Sequence, residues 1–319
     1  MALFFLAPWV GEYLNGNTSI SELVALPVLG LLYGGGAVVI REVARRAGRG
    51  WPTIVMLGAA YGVIESGVVD TSMFNQMFQT YDFSLMTVES LGVSVYWFPY
   101  FVFIHAVWSI TVPIVLIEAF VPQRRTTPWL RNVGLCVAAS LYLTGALFIG
   151  WIMRTEEGLS ITPAEFAGAS LLAIALIVAA FAAGRSPRKI DRPAPAPIVA
   201  GIAAFVWSSV RNIVAITVMW YRDEATVATW TGWAVEIALV IVGGVVLART
   251  ARRAGWADAH RLAVAGGLLL MYAWGAFAVA QFVDRTSAVD LIGHGVFALI
   301  AVTLLIAAAS RTREIQERR

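Results

Sequence analysis

The segment LGAAYGVIESGVVD, residues 57–70, belongs to an apolar run that begins at Trp51 and carries one carboxylate, Glu65. A run of about 20 apolar residues is long enough to cross a bilayer as a helix. An ionisable side chain at membrane depth is costly and usually faces the protein interior or a water-filled cavity. Gly58 and Ala59 precede Gly62 by four and three residues, so another helix can approach closely. The segment predicts a transmembrane helix with either a functional carboxylate or a small-residue packing face whose carboxylate a neighbour satisfies.

Composition extends this prediction to the whole chain. Of its 319 residues, 59% are apolar and only 13% are charged, whereas soluble proteins carry roughly 25% charged residues. The chain is therefore predicted to be an all-α, polytopic transmembrane helix bundle that forms a single membrane-embedded domain over residues 1–319. The basic residues are scattered over short loops, which does not indicate nucleic acid as a partner. The lipid bilayer is the expected environment, and the sequence does not determine the oligomeric state.

Apolar runs of membrane-spanning length recur along the chain. Nine full spans are predicted, at residues 23–40, 51–70, 95–120, 132–153, 164–183, 197–220, 228–248, 262–282 and 291–309. The N-terminus has an apolar stretch before Glu12 that is too short for a span, so it is predicted to form a short helix interrupted near Pro8, or a shortened first span. The Pro-rich segment 185–197 is a candidate boundary between two bundles.

Lys and Arg are concentrated in alternate loops. Nineteen of the 23 basic residues fall in every second loop, Arg154, Arg222 and Arg285 fall in the loops between, and Arg211 lies within a predicted span. Cytoplasmic loops of membrane proteins carry the excess of Lys and Arg. The pattern supports the helix count and predicts a cytoplasmic C-terminus.

The longest connection on the opposite side, residues 71–94, has no basic residue. Met73, Phe74, Met77 and Phe78 would share one face of a helix. The connection is therefore predicted to be an amphipathic lid, with an ordinary loop as the alternative.

Polar side chains inside the predicted spans collect at similar depth. At a rise of about 1.5 Å per residue, Glu65 lies roughly 8 Å below the outer boundary and His105 lies near the middle. The pattern predicts a polar cavity in the outer half of the membrane that binds or translocates a small solute or ion. Its candidate binding residues are Tyr61, Glu65, His105, Arg211, Asn212, Glu236 and Gln281. Arg211 and Glu236 lie at matching depth on consecutive spans and are predicted to form an ion pair.

The two intramembrane histidines and a carboxylate suggest a second chemistry. Glu65, His105 and the shallower His294 could hold Zn²⁺ and leave a position for water, with Glu65 and His105 as the catalytic residues of a hydrolase. No HExxH sequence places two ligands on one helical turn. The same groups could instead relay protons in a transporter, because histidine titrates near neutral pH.

The sequence FVFIH, residues 101–105, resembles the FxxxH motif of the CAAX-protease and bacteriocin-processing (CPBP) intramembrane proteases. The resemblance implies a metal-dependent hydrolase with Glu65 and His105 at its site. The chain has Ser66 after Glu65 where that family has a second glutamate, and Ala298 four residues after His294 where it has Asn. The chain also resembles uncharacterised bacterial multi-pass membrane proteins with a Tyr-Gly step before an acidic residue and a histidine before Trp-Ser. This resemblance implies a location in the bacterial cytoplasmic (inner) membrane. A structural or signalling membrane subunit is the remaining alternative.

Overall fold

A computed structural model of the chain describes residues 1–78, 81–182, 189–220 and 227–317. Helices dominate these residues. The α-helices are α1 (Ala2–Pro8), α2 (Leu26–Leu29), α3 (Gly35–Arg46), α4 (Trp51–Ile64), α5 (Trp97–Ile104), α6 (Val112–Phe120), α7 (Asn132–Thr155), α8 (Pro163–Ala182), α9 (Pro197–Trp220), α10 (Val227–Thr250), α11 (Asp258–Phe282) and α12 (Ala288–Glu317). Short 3-10 helices cover Ile20–Ala25 and Pro122–Arg124.

Four further helical segments in the described residues are π-helices, in which the backbone N–H bonds five residues back rather than four. They are π1 (Trp9–Tyr13), π2 (Gly30–Gly34), π3 (Glu65–Val69) and π4 (His105–Thr111). Each directly continues an α-helix, and π2 and π4 lead into another one. Pro8 is the last residue of α1, and the chain continues into π1. The predicted interruption near Pro8 is thus a change of helix type.

Nine helical stretches in the described residues are long and apolar enough to cross a bilayer. They are Ile20–Arg46, Trp51–Val69, Trp97–Phe120, Asn132–Thr155, Pro163–Ala182, Pro197–Trp220, Val227–Thr250, Asp258–Phe282 and Ala288–Thr312. The predicted polytopic helix bundle, with nine full spans and a short N-terminal helix, is confirmed. Five basic residues of the orientation pattern lie outside the described residues: Arg185, Arg188, Arg222, Arg318 and Arg319.

The connection between the second and third spans contains strands rather than a helix. β1 (Met77–Phe78) pairs with β2 (Tyr81–Asp82), and β3 (Thr87–Val88) pairs with β4 (Val93–Ser94), both antiparallel. The predicted amphipathic lid is wrong: Met73 is 5% exposed and Met77 is 62% exposed, so the two do not share a face. Positive φ angles at Thr71, Met86 and Gly92 turn the chain where a helix would need negative values. Elsewhere, β5 (Ile190–Pro193) runs parallel to β6 (Arg253–Ala254).

The chain divides into two compact units. The first comprises Met1–Gly11, Leu23–Ile114 and Gln123–Arg185, and the second comprises Glu12–Glu22, Val115–Pro122 and Ser186–Arg319. In the first unit α4 packs against α8, α5 and π4, and in the second α9 packs against α11. The candidate bundle boundary at residues 185–197 lies partly outside the described residues and stays a prediction.

The end of α3 holds the loop between α6 and α7 through a buried ion pair. Arg41 Nη1 lies 2.6 Å from Glu42 Oε1, and neither side chain is exposed. Arg41 also donates to the carbonyl oxygen of Arg124 at 2.8 Å. The Glu42 carboxylate accepts from the backbone N–H groups of Trp129 and Leu130. The ion pair and these hydrogen bonds compensate both charges within the first unit, as a stable buried ion pair requires.

Candidate functional site

The carboxylate of Glu65 and the imidazole of His105 are in direct contact inside the first unit. Glu65 Oε2 lies 2.8 Å from His105 Nε2. Glu65 is 4% exposed and His105 is 7% exposed. Glu65 is the first residue of π3 and His105 is the first residue of π4. The contact between Glu65 and His105 therefore offsets part of the free-energy cost of burying each of these two ionisable groups.

Glycines on α4 allow this contact. A Cβ added to Gly62 would lie 3.0 Å from the Cα of Val102 and 3.1 Å from the Cβ of His105. One turn earlier, a Cβ on Gly58 would lie 3.0 Å from the Cα of Ala106. The small-residue spacing thus lets the backbones of two helices approach closely, and the approach places Glu65 within hydrogen-bonding reach of His105.

Three hydroxyl groups complete the hydrogen bonding of the pair. Tyr33 Oη donates to Glu65 Oε1 at 3.1 Å, and Ser66 Oγ donates to Glu65 Oε2 at 2.8 Å. On the other side of the imidazole, His105 Nδ1 lies 3.1 Å from Ser109 Oγ. Both carboxylate oxygens and both ring nitrogens therefore have partners. The hydrogen bonds link Ser109, His105 and Glu65 in a row, and a proton can move along such a row.

Aromatic rings enclose the pair. The Tyr61 ring centroid lies 6.0 Å from that of His105 and 6.2 Å from that of Tyr142, and the Tyr33 ring lies 5.9 Å from His105. Tyr61, predicted as a site residue, is thus a neighbour of the pair. Rings of this kind exclude water and lower the local dielectric, which strengthens the electrostatic interactions of the pair.

The four π-helices converge on this site. Tyr33 belongs to π2, Glu65 to π3, and both His105 and Ser109 to π4. Gly11 of π1 completes the set, because a Cβ there would lie 3.0 Å from Ser109 Oγ and 3.3 Å from Tyr33. π-Helical turns are rare and occur frequently at functional sites. Hydrophobic periodicity carries no signal for them, and neither Tyr33 nor Ser109 was predicted as a site residue.

A second carboxyl group, Asp70, stands at the end of π3. Its backbone N–H donates to the Glu65 carbonyl oxygen at 2.9 Å, and its Oδ1 accepts from the backbone N–H of Ser72 at 2.8 Å. Burial and the nearby Glu65 carboxylate raise the pKa of Asp70 well above its ordinary value. Sequence reasoning missed this residue because it looked like the water-facing end of a span.

The second unit contains the other predicted site residues. Arg211 Nη2 lies 2.6 Å from Glu236 Oε1, so the predicted ion pair is confirmed. Asn212 and His294 are buried, and within the described residues no hydrogen-bond partner contacts Asn212 Nδ2. Gln281 is exposed near the end of α11. The structure thus gathers Arg211 and Glu236 but leaves Gln281 at the surface.

The sequence suggested a zinc site with Glu65, His105 and His294 as its ligands. The described part of the chain contains no group of three or more His, Cys, Asp or Glu side chains that could hold a metal ion. Glu65 and His105 bond to each other, the second ring nitrogen of His105 faces Ser109, and His294 belongs to the other unit. The metal site of Glu65, His105 and His294 stays a prediction.

A protein-family model matches the chain. The model of a family described as an uncharacterized membrane protein family matches residues 1–314. No curated protein matches the chain, and neither does any solved structure. The match covers nearly the whole chain and accords with the second resemblance in the sequence, to uncharacterised bacterial multi-pass proteins; it does not support the resemblance to the CAAX-type proteases.

Proposed function

The chain belongs to this membrane protein family, and from that premise we propose that its Glu65–His105 pair binds and releases protons as a small solute or ion crosses the membrane. The observation that carries the proposal is the contact of 2.8 Å between a carboxylate and an imidazole that are both buried. Ionisable groups inside the membrane are rare and mark ion pathways and proton relays. Histidine is the side chain that ordinarily titrates near neutral pH.

The chemistry of the pair suits this role. Carboxylate and imidazole share one proton as an ion pair or a neutral pair, and uptake or loss of a further proton changes the net charge of the buried site. A buried net charge is costly, so each change in protonation would favour a different arrangement of the surrounding helices. Tyr33, Glu65 and His105 all lie in π-helical turns, which occur frequently at functional sites.

Orientation is part of the proposal. We place the C-terminus and the arginine-rich helix ends in the cytoplasm of a bacterial cell, with the chain in the inner membrane, because Lys and Arg are enriched in cytoplasmic loops. α4 would then run outward, and Asp70 would face the external side. We assign solute contacts in the second unit to Asn212 and the Arg211–Glu236 pair, supported by the buried Asn212 Nδ2 donor, which contacts no acceptor within the described residues.

Proton uptake into vesicles tests the proposal. Purified protein would be reconstituted into liposomes that contain a pH-sensitive dye, and an inward proton gradient would be applied with the membrane potential clamped. Wild-type vesicles should acidify faster than empty ones, and Glu65→Gln and His105→Gln should remove the difference. Glu89→Gln, the same change at an exposed position, is the matched control and should behave as wild type. Uptake that is equal in wild-type and Glu65→Gln vesicles would refute the proposal.

A second candidate, an intramembrane hydrolase, is favoured by one specific observation. Ser109 Oγ lies 3.1 Å from His105 Nδ1, and His105 Nε2 contacts Glu65. A hydroxyl, a base and an orienting carboxylate in this order resemble an activated nucleophile. A fluorophosphonate probe should then label the wild-type protein and Ser66→Ala but not Ser109→Ala.

The remaining alternative is a structural or signalling subunit. A protein that neither reacts with the probe nor takes up protons would favour it.

A further inference from the structure

The π3 helix changes which side chains share a helix face. Residues five positions apart in an α-helix point about 140° away from each other, because successive residues rotate by about 100°. In a π-helix the bond from N–H to the carbonyl five residues earlier closes roughly one turn over those five residues. Asp70 makes this bond to Glu65 at 2.9 Å. The two carboxyl groups are therefore brought to the same side of the helix, one turn apart.

A strained turn fixes Asp70 at this point. Thr71 has a φ of 62° and is fully buried, and a β-branched residue in this left-handed region is a genuine outlier. Asn75 supports the turn by donating to the Thr71 carbonyl oxygen at 2.8 Å and to its hydroxyl at 2.9 Å. Backbone strain of this kind persists only where surrounding structure enforces it, and it clusters at functional sites.

The charged groups around Asp70 come from three helical elements. Glu65, on its own helix, raises the pKa of Asp70 together with burial, whereas His105 on π4 lowers it. Arg154 on α7 donates to the backbone carbonyl oxygens of Val68 and Gly150, at 2.8 and 2.6 Å. The net result is a carboxyl group that retains its proton at pH values where an exposed aspartate has lost it.

We infer that Asp70 is a proton-carrying residue that exchanges protons between water at the C-terminal end of π3 and the Glu65–His105 pair. The O–H bond of Asp70 breaks, the proton bonds to the pair, and Asp70 is left as a carboxylate. A hydronium ion from the adjacent water then restores the Asp70 O–H bond. The inference rests on the proposed function for the net movement of protons, whereas the protonation of Asp70 can be measured by itself.

Infrared spectroscopy of the full-length protein in liposomes tests the protonation directly. At pH values above the ordinary pKa of aspartate, about 4, the wild-type protein should still show the C=O band of a protonated carboxylic acid, which disappears as the pH is raised further. Asp70→Asn should remove the band, and Glu89→Gln should leave it. Glu65→Gln should keep the band but shift its midpoint to lower pH, since a neighbouring negative charge is gone. A wild-type protein without this band, or a band that survives Asp70→Asn, would overturn the inference.

Vesicle assays separate this inference from the proposed function. Asp70→Asn should slow proton uptake at least tenfold, and Asp70→Glu, which keeps a carboxyl group, should restore most of it. If wild-type vesicles take up no protons, the proposed function fails, and the infrared band alone decides whether Asp70 holds a proton. If wild-type vesicles take up protons and Asp70→Asn does so equally fast, Asp70 is not on the path and only this inference fails.

Discussion

Arg211 on α9 and Glu236 on α10 form a buried ion pair, with 2.6 Å between Nη2 and Oε1 and side chains that are 2% and 6% exposed. They lie on consecutive membrane spans. An unpaired arginine at membrane depth costs about 2.5–3.5 kcal/mol on insertion scales. The pair therefore favours one register of these two helices, because sliding one helix by a turn would separate the two charges.

Removing either partner of this pair should destabilise the protein. We expect Arg211→Met and Glu236→Gln each to lower the free energy of unfolding by about 3–5 kcal/mol, since each leaves one buried charge uncompensated. The double variant should lose less than the sum of the two, with a coupling of about 1 kcal/mol or more. Unfolding in mixed micelles measures all four proteins of the cycle, and strictly additive losses would contradict the pairing.

Adding one methyl group to Gly34 should separate the N-terminal helix from the rest of the first unit. A Cβ at Gly34 would lie 2.0 Å from the Phe4 carbonyl oxygen and 2.6 Å from its carbonyl carbon. Backbone atoms cannot move aside without shifting α1, so Gly34→Ala should cost about 1–3 kcal/mol. Thermal unfolding in detergent measures the loss.

A matched glycine provides the control for this experiment. Gly168 on α8 has no atom within 4 Å of an added Cβ. Gly168→Ala should therefore leave stability unchanged or raise it by up to about 1 kcal/mol, because alanine is the better helix former. Equal losses at Gly34 and Gly168 would show that the close approach of α1 contributes nothing.

The stability of the protein should depend on pH through Asp70. Folding raises the pKa of this carboxyl group through burial and the neighbouring Glu65 carboxylate, so the folded state disfavours the charged form. Stability is then highest below the unfolded pKa of about 4 and falls as the pH rises from there toward the folded pKa. Asp70→Asn should be more stable than wild type at pH 7, and the difference should vanish near pH 4. Thermal unfolding across this range tests it, and a constant difference would contradict it.

The orientation of the chain can be tested with cysteine labelling. The native Cys136 is exposed, so the work needs a Cys136→Ser background. An impermeant maleimide added to intact cells should label a cysteine at Ser84 and should not label one at Ala251 unless the cells are opened, since the latter lies beside Arg252 and Arg253 in an arginine-rich loop. External labelling at Ala251 would reverse the proposed orientation.

The spans were predictable because membrane-spanning helices leave a signal that is local in sequence. Each needs about 20 consecutive apolar residues, and no long-range contact has to be known. The Arg211–Glu236 pair was predictable for the same reason, because helical rise and a short connection put the two residues at one depth. The connection at residues 71–94 was not, because Thr71 and Met86 adopt positive φ angles that neither residue type suggests.

Only some residues of the candidate site could be predicted from the sequence. Glu65 and His105 stood out because ionisable groups are rare in apolar runs. Tyr33 and Ser109 did not, since tyrosine and serine are unremarkable in membrane helices and their roles depend on which helices meet. The π-turns were not predicted either, because each is a short segment with its own hydrogen-bond pattern, and that pattern depends on the backbone rather than on residue type.

The buried Arg41–Glu42 pair near the end of α3 has a consequence for how the chain is synthesised. Glu42 accepts a hydrogen bond from the backbone N–H of Trp129, which lies 87 residues after Glu42 in the chain. When α3 leaves the ribosome, Arg41 and Glu42 have each other but not the loop that completes their hydrogen bonds. The nascent helix must therefore keep this end in water or in the translocon until residue 130 has been synthesised. The first unit thus closes at its arginine-rich end only after its third span has been inserted.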